Sequence, residues 1–177
     1  MPGTHKLGPG NAALKIKTER RGAAAMAGHD LVIEVASWEA TLQVGEDPGQ
    51  ISLLLTADPG SLQVIEGTGG VQALGEDDKV EIKQTIEDEV LGTQPIDFRS
   101  TAVEASDDGR LRVSGELTMN ANTHPLDFVL EVGPEGQVSG RATVTQSEWG
   151  IKPYSGLFGT LKVRDEVEVV AEGSLPQ

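Results

Sequence analysis

The chain has 177 residues, of which 28 are acidic and 14 basic, giving a formal net charge of −14, and it has no cysteine. This charge repels nucleic-acid phosphates and anionic lipid surfaces, and it argues against nucleic acid as a partner. The lack of cysteine excludes disulfides, thiolate metal sites and a cysteine nucleophile. No window approaches the ~20 apolar residues of a membrane span, and no signal-like apolar run opens the sequence. We therefore expect a single-domain, cytoplasmic protein without a membrane span.

The chain begins with a stretch poor in apolar residues. Residues 1–11 contain three glycines and two prolines and predict a flexible N-terminal arm, followed by one domain over residues 12–177. From there on, apolar and polar residues alternate with the period of two that is typical of strands, most clearly in WEATLQV at 38–44. Strands are predicted at 12–16, 31–35, 38–44, 51–55, 62–65, 96–103, 111–119, 126–132, 138–144 and 161–171.

The segments between these runs are typical of hairpin turns. They include EDPG at 46–49, ADPG at 57–60, DDG at 107–109 and GPEG at 133–136. Successive hairpins indicate an antiparallel, up-and-down sheet, and closure would remove its exposed edges. The sequence therefore predicts an all-β fold: a closed antiparallel barrel of about eight strands.

One segment has a helical period instead. In GEDDKVEIKQTIEDEVLG, Ile82, Ile86 and Val90 are spaced four residues apart and form one stripe. This spacing predicts one α-helix, inserted between strands, over residues 76–91. Its acidic residues are interpreted as a solvated face.

Motifs for catalysis are weak. His29 and Asp30 are adjacent at a strand start, where they form either a proton-transfer pair or a hydrogen-bonded strand entry. The latter is favoured, because the sequence places no nucleophile with them. Two histidines, His29 and His124, are too few for a metal site, and the spacing of a calcium loop is absent. The sequence predicts no cofactor, no metal and no catalytic residue.

The faces expected to point inward carry mostly Val, Leu, Ile, Ala and Gly, as in the runs at 111–119 and 138–144. Small side chains in an eight-stranded barrel can leave an elongated cavity for one apolar ligand. The alternative is a barrel packed shut on its own Leu and Ile side chains. The pattern alone favours neither.

Four segments in order resemble the YceI-like family, lipocalin-like barrels associated with polyisoprenoid binding. They are AGHDLVIEVASWEATL at 27–42, QPIDFRSTAVE at 94–104, VSGELTMNANTHPLDFVLEV at 113–132 and SEWGIKPYSGLFGTLKVRDEVEVVAE at 147–172. The resemblance implies that residues 12–177 are a YceI-like barrel domain that carries or sequesters an isoprenoid or other long-chain apolar ligand. It implies a bacterial carrier without chemical turnover. Two alternatives stay open, a small-substrate enzyme using His29 and Asp30, or a ligand-free, stress-associated interaction barrel. A homodimer is also left open.

On this hypothesis, apolar residues contact the lipid tail and basic ones its head group. The expected tail contacts are Trp38, Leu42, Leu53, Phe98, Leu117, Phe128, Trp149, Tyr154 and Phe158. The expected head-group contacts are Arg20, His29 and Lys152.

Half of the six Trp, Tyr and Phe residues lie within ten residues of a glycine-rich connection, WGIKPYSGLFG. These aromatic residues supply a large apolar area at one end of a barrel whose interior is otherwise lined by small side chains. We expect Trp149 to act as a hydrophobic plug, and Tyr154 and Phe158 to act as a lid over a ligand.

Overall fold

The computed structural model describes residues 2–47, 49–156 and 161–176. Its strands are β1 Gly3–Leu7, β2 Ala12–Thr18, β3 Arg20–Arg21, β4 Asp30–Val35, β5 Trp38–Val44, β6 Ile51–Ala57, β7 Leu62–Thr68, β8 Ile96–Ala105, β9 Arg110–Met119, β10 Asn122–Val132, β11 Gln137–Thr145, β12 Ser155–Gly156, β13 Leu161–Val163 and β14 Glu166–Ser174. The α-helix, α1, spans Glu76–Thr85 and continues in a π-helical turn, Ile86–Val90. Three short 3-10 helices span Ala25–Ala27, Pro59–Ser61 and Gln146–Trp149.

Eleven strands form one antiparallel sheet in the order β1-β5-β6-β8-β9-β10-β11-β14-β2-β4-β7, and β12, β13 and β3 form a second, small sheet. The large sheet curls into a half-barrel around the core. Among the described residues, its first strand β1 and its last strand β7 are not hydrogen-bonded to each other. The all-β prediction is confirmed. The prediction of a closed barrel of about eight strands is wrong, because the sheet has 11 strands and is not closed by hydrogen bonds.

Bends in three long strands explain both the larger number of strands and the incomplete closure of the sheet. β1 runs into β2 through residues 8–11, β4 into β5 through residues 36–37, and β6 into β7 through Pro59–Ser61. The last two bends are joined by a hydrogen bond of 3.0 Å from Asp58 N to Ser37 O. Beyond its bend β7 pairs with β4, whereas β6 pairs with β8. β7 is therefore an edge strand of the sheet and does not pair with β8.

The N-terminal residues differ from the expected flexible arm. Gly3–Leu7 forms β1 and pairs with β5 from Val44 to Ala40. The reason is burial, because Leu7 is only 9% exposed and belongs to the main core. One apolar residue in five is too weak a signal for a strand to be predicted.

Helix α1 connects β7 to β8 on the open side of the sheet. The Asp78 carboxylate caps its start by accepting a hydrogen bond of 2.8 Å from Gly75 N. The predicted stripe packs inward, with Ile82 and Ile86 against a small core cluster that contains Ile33, Leu62 and Val64. The helix thus covers apolar residues that the incomplete sheet would leave exposed.

Lys83 attaches this helix to the bend before β7. Its Nζ donates hydrogen bonds to Gly60 O at 2.7 Å and Leu62 O at 3.0 Å. Replacing Lys83 by Met is expected to lower the free energy of unfolding by about 1–2 kcal/mol, because two backbone carbonyls lose a charged donor. Urea denaturation would measure the change.

Lys79 provides the matched control, since its Nζ contacts Glu76, itself an exposed residue, at 3.0 Å. Lys79→Met is expected to change the free energy of unfolding by less than about 0.5 kcal/mol. Equal losses in the two variants would contradict a specific attachment through Lys83.

Candidate ligand-binding cavity

A cavity of about 680 Å³ lies inside the curled sheet and beneath α1. Strands β2, β4 to β11 and β14 contribute to its wall, together with α1 and the loop before it. The wall is mainly aliphatic, because alternation places the apolar residues of each strand on the concave face. Its volume lies within the ~300–1,000 Å³ that is typical of small-molecule sites.

Six of the predicted tail contacts lie in this wall: Trp38, Leu53, Phe98, Leu117, Phe128 and Tyr154. Phe98 and Phe128 pack together with their ring centroids 5.2 Å apart and their planes tilted by 56°. The Phe98 ring also lies over Gly115, where an added Cβ would come within 2.5 Å of Phe98 Cζ. The glycine in β9 therefore makes room for the aromatic wall.

Two predicted tail contacts, Leu42 and Trp149, lie elsewhere. Leu42 is 2% exposed and Trp149 is 1% exposed, and both pack in the main core rather than line the cavity. Phe158 lies outside the described residues. Alternation identifies a side chain that faces inward. It does not show whether that side chain meets another side chain or an open space.

The two tryptophans are held differently. Trp149 Nε1 donates a hydrogen bond of 2.8 Å to Leu117 O, and the His124 ring lies edge-on at 5.7 Å. Trp38 Nε1 is buried and has no hydrogen-bond partner among the described residues. Of the two, Trp149 is the one whose indole nitrogen is hydrogen-bonded to the sheet.

Of the predicted head-group contacts, Arg20 and His29 line the cavity and Lys152 does not. Arg20 Nη1 donates to Thr68 O at 2.8 Å. His29 Nε2 lies 2.8 Å from Gln72 O, and because a carbonyl only accepts, this nitrogen carries the proton. Arg20 thus joins the end of β7 to the cavity rim, and His29 joins the loop after β7 to it.

The wall includes residues that the sequence analysis did not select. They come from β2, β4, the loop before α1 and the helix itself, and they include Ile16, Leu31, Ile33, Leu74, Ile82, Ile86 and Leu91. The helical stripe was a visible signal for Ile82 and Ile86. No local signal marks Leu74, which packs so closely on Gly67 that a Cβ there would lie 2.6 Å from Leu74 Cδ2.

His29 and Asp30, the alternative catalytic pair, are each engaged with backbone. The Asp30 carboxylate accepts a hydrogen bond of 2.8 Å from Arg20 N, and His29 contacts Gln72 O. These contacts tie β3 and the loop after β7 to the start of β4. They match the strand-entry interpretation of the pair.

The described part of the chain lacks two further classes of feature. Residues 2–47, 49–156 and 161–176 contain no group of three or more His, Asp and Glu side chains that could hold a metal ion. Within the same ranges, no helix has the length and apolar character needed to cross a membrane.

A curled antiparallel sheet around an apolar cavity is the arrangement of lipocalin-like binding proteins. The model of the YceI-like domain matches residues 15–175. The chain belongs to the YceI-like family, as the four sequence segments predicted.

Solved structures are similar in fold. The crystal structure of Burkholderia cenocepacia BcnA has a TM-score of 0.66 and 15% identity, over 91% of this chain and 94% of that chain. Two mutant CJ YceI proteins, one with a monobromobimane guest and one made for nanotechnology applications, have TM-scores of 0.58 and 0.59. Each is 11% identical and covers 82% of this chain and 84% of that chain. No curated protein matches the sequence significantly.

Proposed function

We propose that this protein binds a long apolar lipid of isoprenoid type in its cavity and carries it without chemical turnover. The observation that carries the proposal is the aliphatic cavity of about 680 Å³. Burying an apolar chain there is worth about 0.8 kcal/mol for each CH₂ group. A long tail therefore binds through its length and needs few polar contacts. Members of the YceI-like family are generally binding proteins, which supports the same proposal.

The cavity also argues against the alternative of a ligand-free interaction barrel. Protein interiors are close-packed, with few voids larger than a water molecule. A barrel packed shut on its own side chains would not have an apolar space of this size. The space therefore favours a ligand-binding role over a filled interaction barrel.

Gently purified protein is expected to carry a lipid, visible as an added mass in native mass spectrometry and recoverable by solvent extraction. Protein stripped of lipid is expected to take up an added polyprenyl alcohol. A bare polypeptide mass, no extractable lipid and no uptake would together overturn the proposal.

The enzyme alternative makes a separate prediction about His29. If His29 acted as a proton-transfer group, His29→Ala would abolish an activity and leave the melting temperature unchanged. We expect the opposite, a lower melting temperature from loss of the contact with Gln72 O.

The cytoplasmic location and a homodimer are also part of the proposal. Cell fractionation would check the location, and sedimentation would check the oligomeric state.

A further inference from the structure

The cavity follows the strands for much of their length. In β11 every second residue lines it, namely Val138, Gly140, Ala142 and Val144. Each of these lies opposite a lining residue of β14, from Gly173 at one end to Val167 at the other. From Val138 to Val144 the strand rises by ~3.4 Å per residue, so the lined part of β11 is about 20 Å long. A volume of about 680 Å³ spread over this length is that of an elongated cavity.

β2 continues this wall on the other side of β14. Its lining residues Ala12, Leu14 and Ile16 lie opposite residues of β14 that also line the cavity. The lining residues of the three strands in this part of the wall are all Gly, Ala, Val, Leu or Ile. A buried polar group without a hydrogen-bond partner is costly, so the ligand is expected to be apolar over the same length.

The volume limits the number of carbon atoms that the cavity holds. An apolar protein cavity of ~150 Å³ takes up benzene, which has six carbons, so one carbon needs ~25 Å³. At this packing, the cavity of about 680 Å³ has space for about 27 carbons.

Length and volume together distinguish a straight chain from a branched one. With C–C bonds of ~1.5 Å, an extended chain advances ~1.3 Å per carbon, so ~16 backbone carbons span about 20 Å. A straight chain of this length fills about 400 Å³ and leaves more than a third of the cavity empty. An isoprenoid with the same backbone length carries four methyl branches and fills about 500 Å³, and a fifth isoprene unit raises this volume to about 625 Å³.

We propose that the ligand is a single isoprenoid chain of four to five isoprene units, about 20–25 carbons, extended along β11, β14 and β2. The inference rests on the proposed function, because it specifies the size of the lipid that the cavity binds. A shorter chain leaves empty space, and the apolar atoms around that space lose packing contacts. A longer chain leaves carbons in water, where they gain nothing from burial. Uptake therefore has a maximum at one chain length.

Uptake from phosphatidylcholine vesicles tests this length. The vesicles contain equal amounts of all-trans prenyl alcohols with 10, 15, 20, 25 and 45 carbons. Lipid-free protein is incubated with them and reisolated, and its bound alcohols are measured by mass spectrometry. Each CH₂ group left in water lowers the affinity about fourfold. The protein is therefore expected to take up the alcohols of 20 and 25 carbons at least about tenfold more than those of 10 and 45 carbons.

The possible failures of this experiment are distinguishable. Equal uptake of all five alcohols, or a maximum at 10, 15 or 45 carbons, would overturn the chain length and leave the proposed function standing. No uptake of any alcohol would overturn the proposed function itself.

A matched pair of alcohols tests the branching. Phytanol and 1-hexadecanol share a backbone of 16 carbons, and phytanol adds four methyl branches. Because the branches fill space that the straight chain leaves empty, phytanol is expected to be taken up about tenfold more than 1-hexadecanol from the same vesicles. Equal uptake of the two would contradict an isoprenoid fit.

A variant of β11 tests where the chain lies. Ala142→Phe adds a ring of six carbons to the wall and removes about 150 Å³, roughly the volume of one isoprene unit. The maximum is expected to move to 15–20 carbons. The control Ala102→Phe places the same ring on an exposed residue of β8 that does not line the cavity, and it should keep the maximum at 20–25 carbons. An unchanged maximum in Ala142→Phe, with an unchanged melting temperature, would contradict the placement along β11.

Discussion

Replacing Ala171 by Phe is expected to weaken binding of a polyprenyl alcohol by about 100-fold. Ala171 lines the cavity from β14, opposite Gly140 of β11. A phenyl ring there would displace roughly four CH₂ groups of the ligand, at about 0.8 kcal/mol each. Competition with a fluorescent lipid would measure the affinity.

Ala102 provides the matched control, because it lies on β8, is exposed and does not line the cavity. Ala102→Phe adds the same ring to the outer face of the sheet and is expected to leave the affinity unchanged. A melting temperature within a few degrees of the original in both variants would show that the fold is retained. Full binding by Ala171→Phe would place the ligand outside the cavity and contradict the proposal.

Replacing Trp149 by Ala is expected to lower the free energy of unfolding by about 3–5 kcal/mol. Trp149 is 1% exposed, donates to Leu117 O and packs against the His124 ring. The loss combines an empty volume with an unpaired carbonyl, and it is a large part of the ~5–15 kcal/mol that stabilises a typical domain. Urea denaturation, followed by far-UV circular dichroism, would measure it.

The variant Trp149→Phe distinguishes the stability lost with the buried volume from the stability lost with the hydrogen bond. Phenylalanine keeps most of the buried ring and cannot donate to Leu117 O, so a loss of about 1–2 kcal/mol is expected. Because Trp149 does not line the cavity, this variant should keep its affinity for a polyprenyl alcohol. A loss of binding without a loss of stability would indicate that Trp149 contacts the ligand and does not act as a plug.

Much of the fold could be predicted from local patterns. The alternation in WEATLQV predicted β5 at its observed bounds, and the stripe of Ile82 and Ile86 predicted the helix and the face that packs on the sheet. The family resemblance was also visible in the sequence and is confirmed by the match over residues 15–175. These predictions succeeded because each depends on the spacing of residues along one segment.

The candidate site was predicted in part. Leu53 and Leu42 occupy inward positions in neighbouring strands, yet Leu53 lines the cavity and Leu42 packs in the core. Leu74 reaches the cavity from a connection whose course no local pattern specifies. The direction in which a side chain points follows from the alternation in its own strand. The residues that it contacts belong to distant parts of the chain, and the alternation does not identify them.

The sequence by itself determined the all-β class, the strand periods, the inserted helix, the YceI-like family and the surplus of negative charge. The tertiary structure decided that bends divide the strands, that β1 and β7 are edge strands, and that α1 packs on the apolar cluster of β4 and β7. It also decided the course of the cavity. The physical reason is that periodicity records which face of a segment avoids water, whereas an open cavity arises from contacts between segments far apart in the chain.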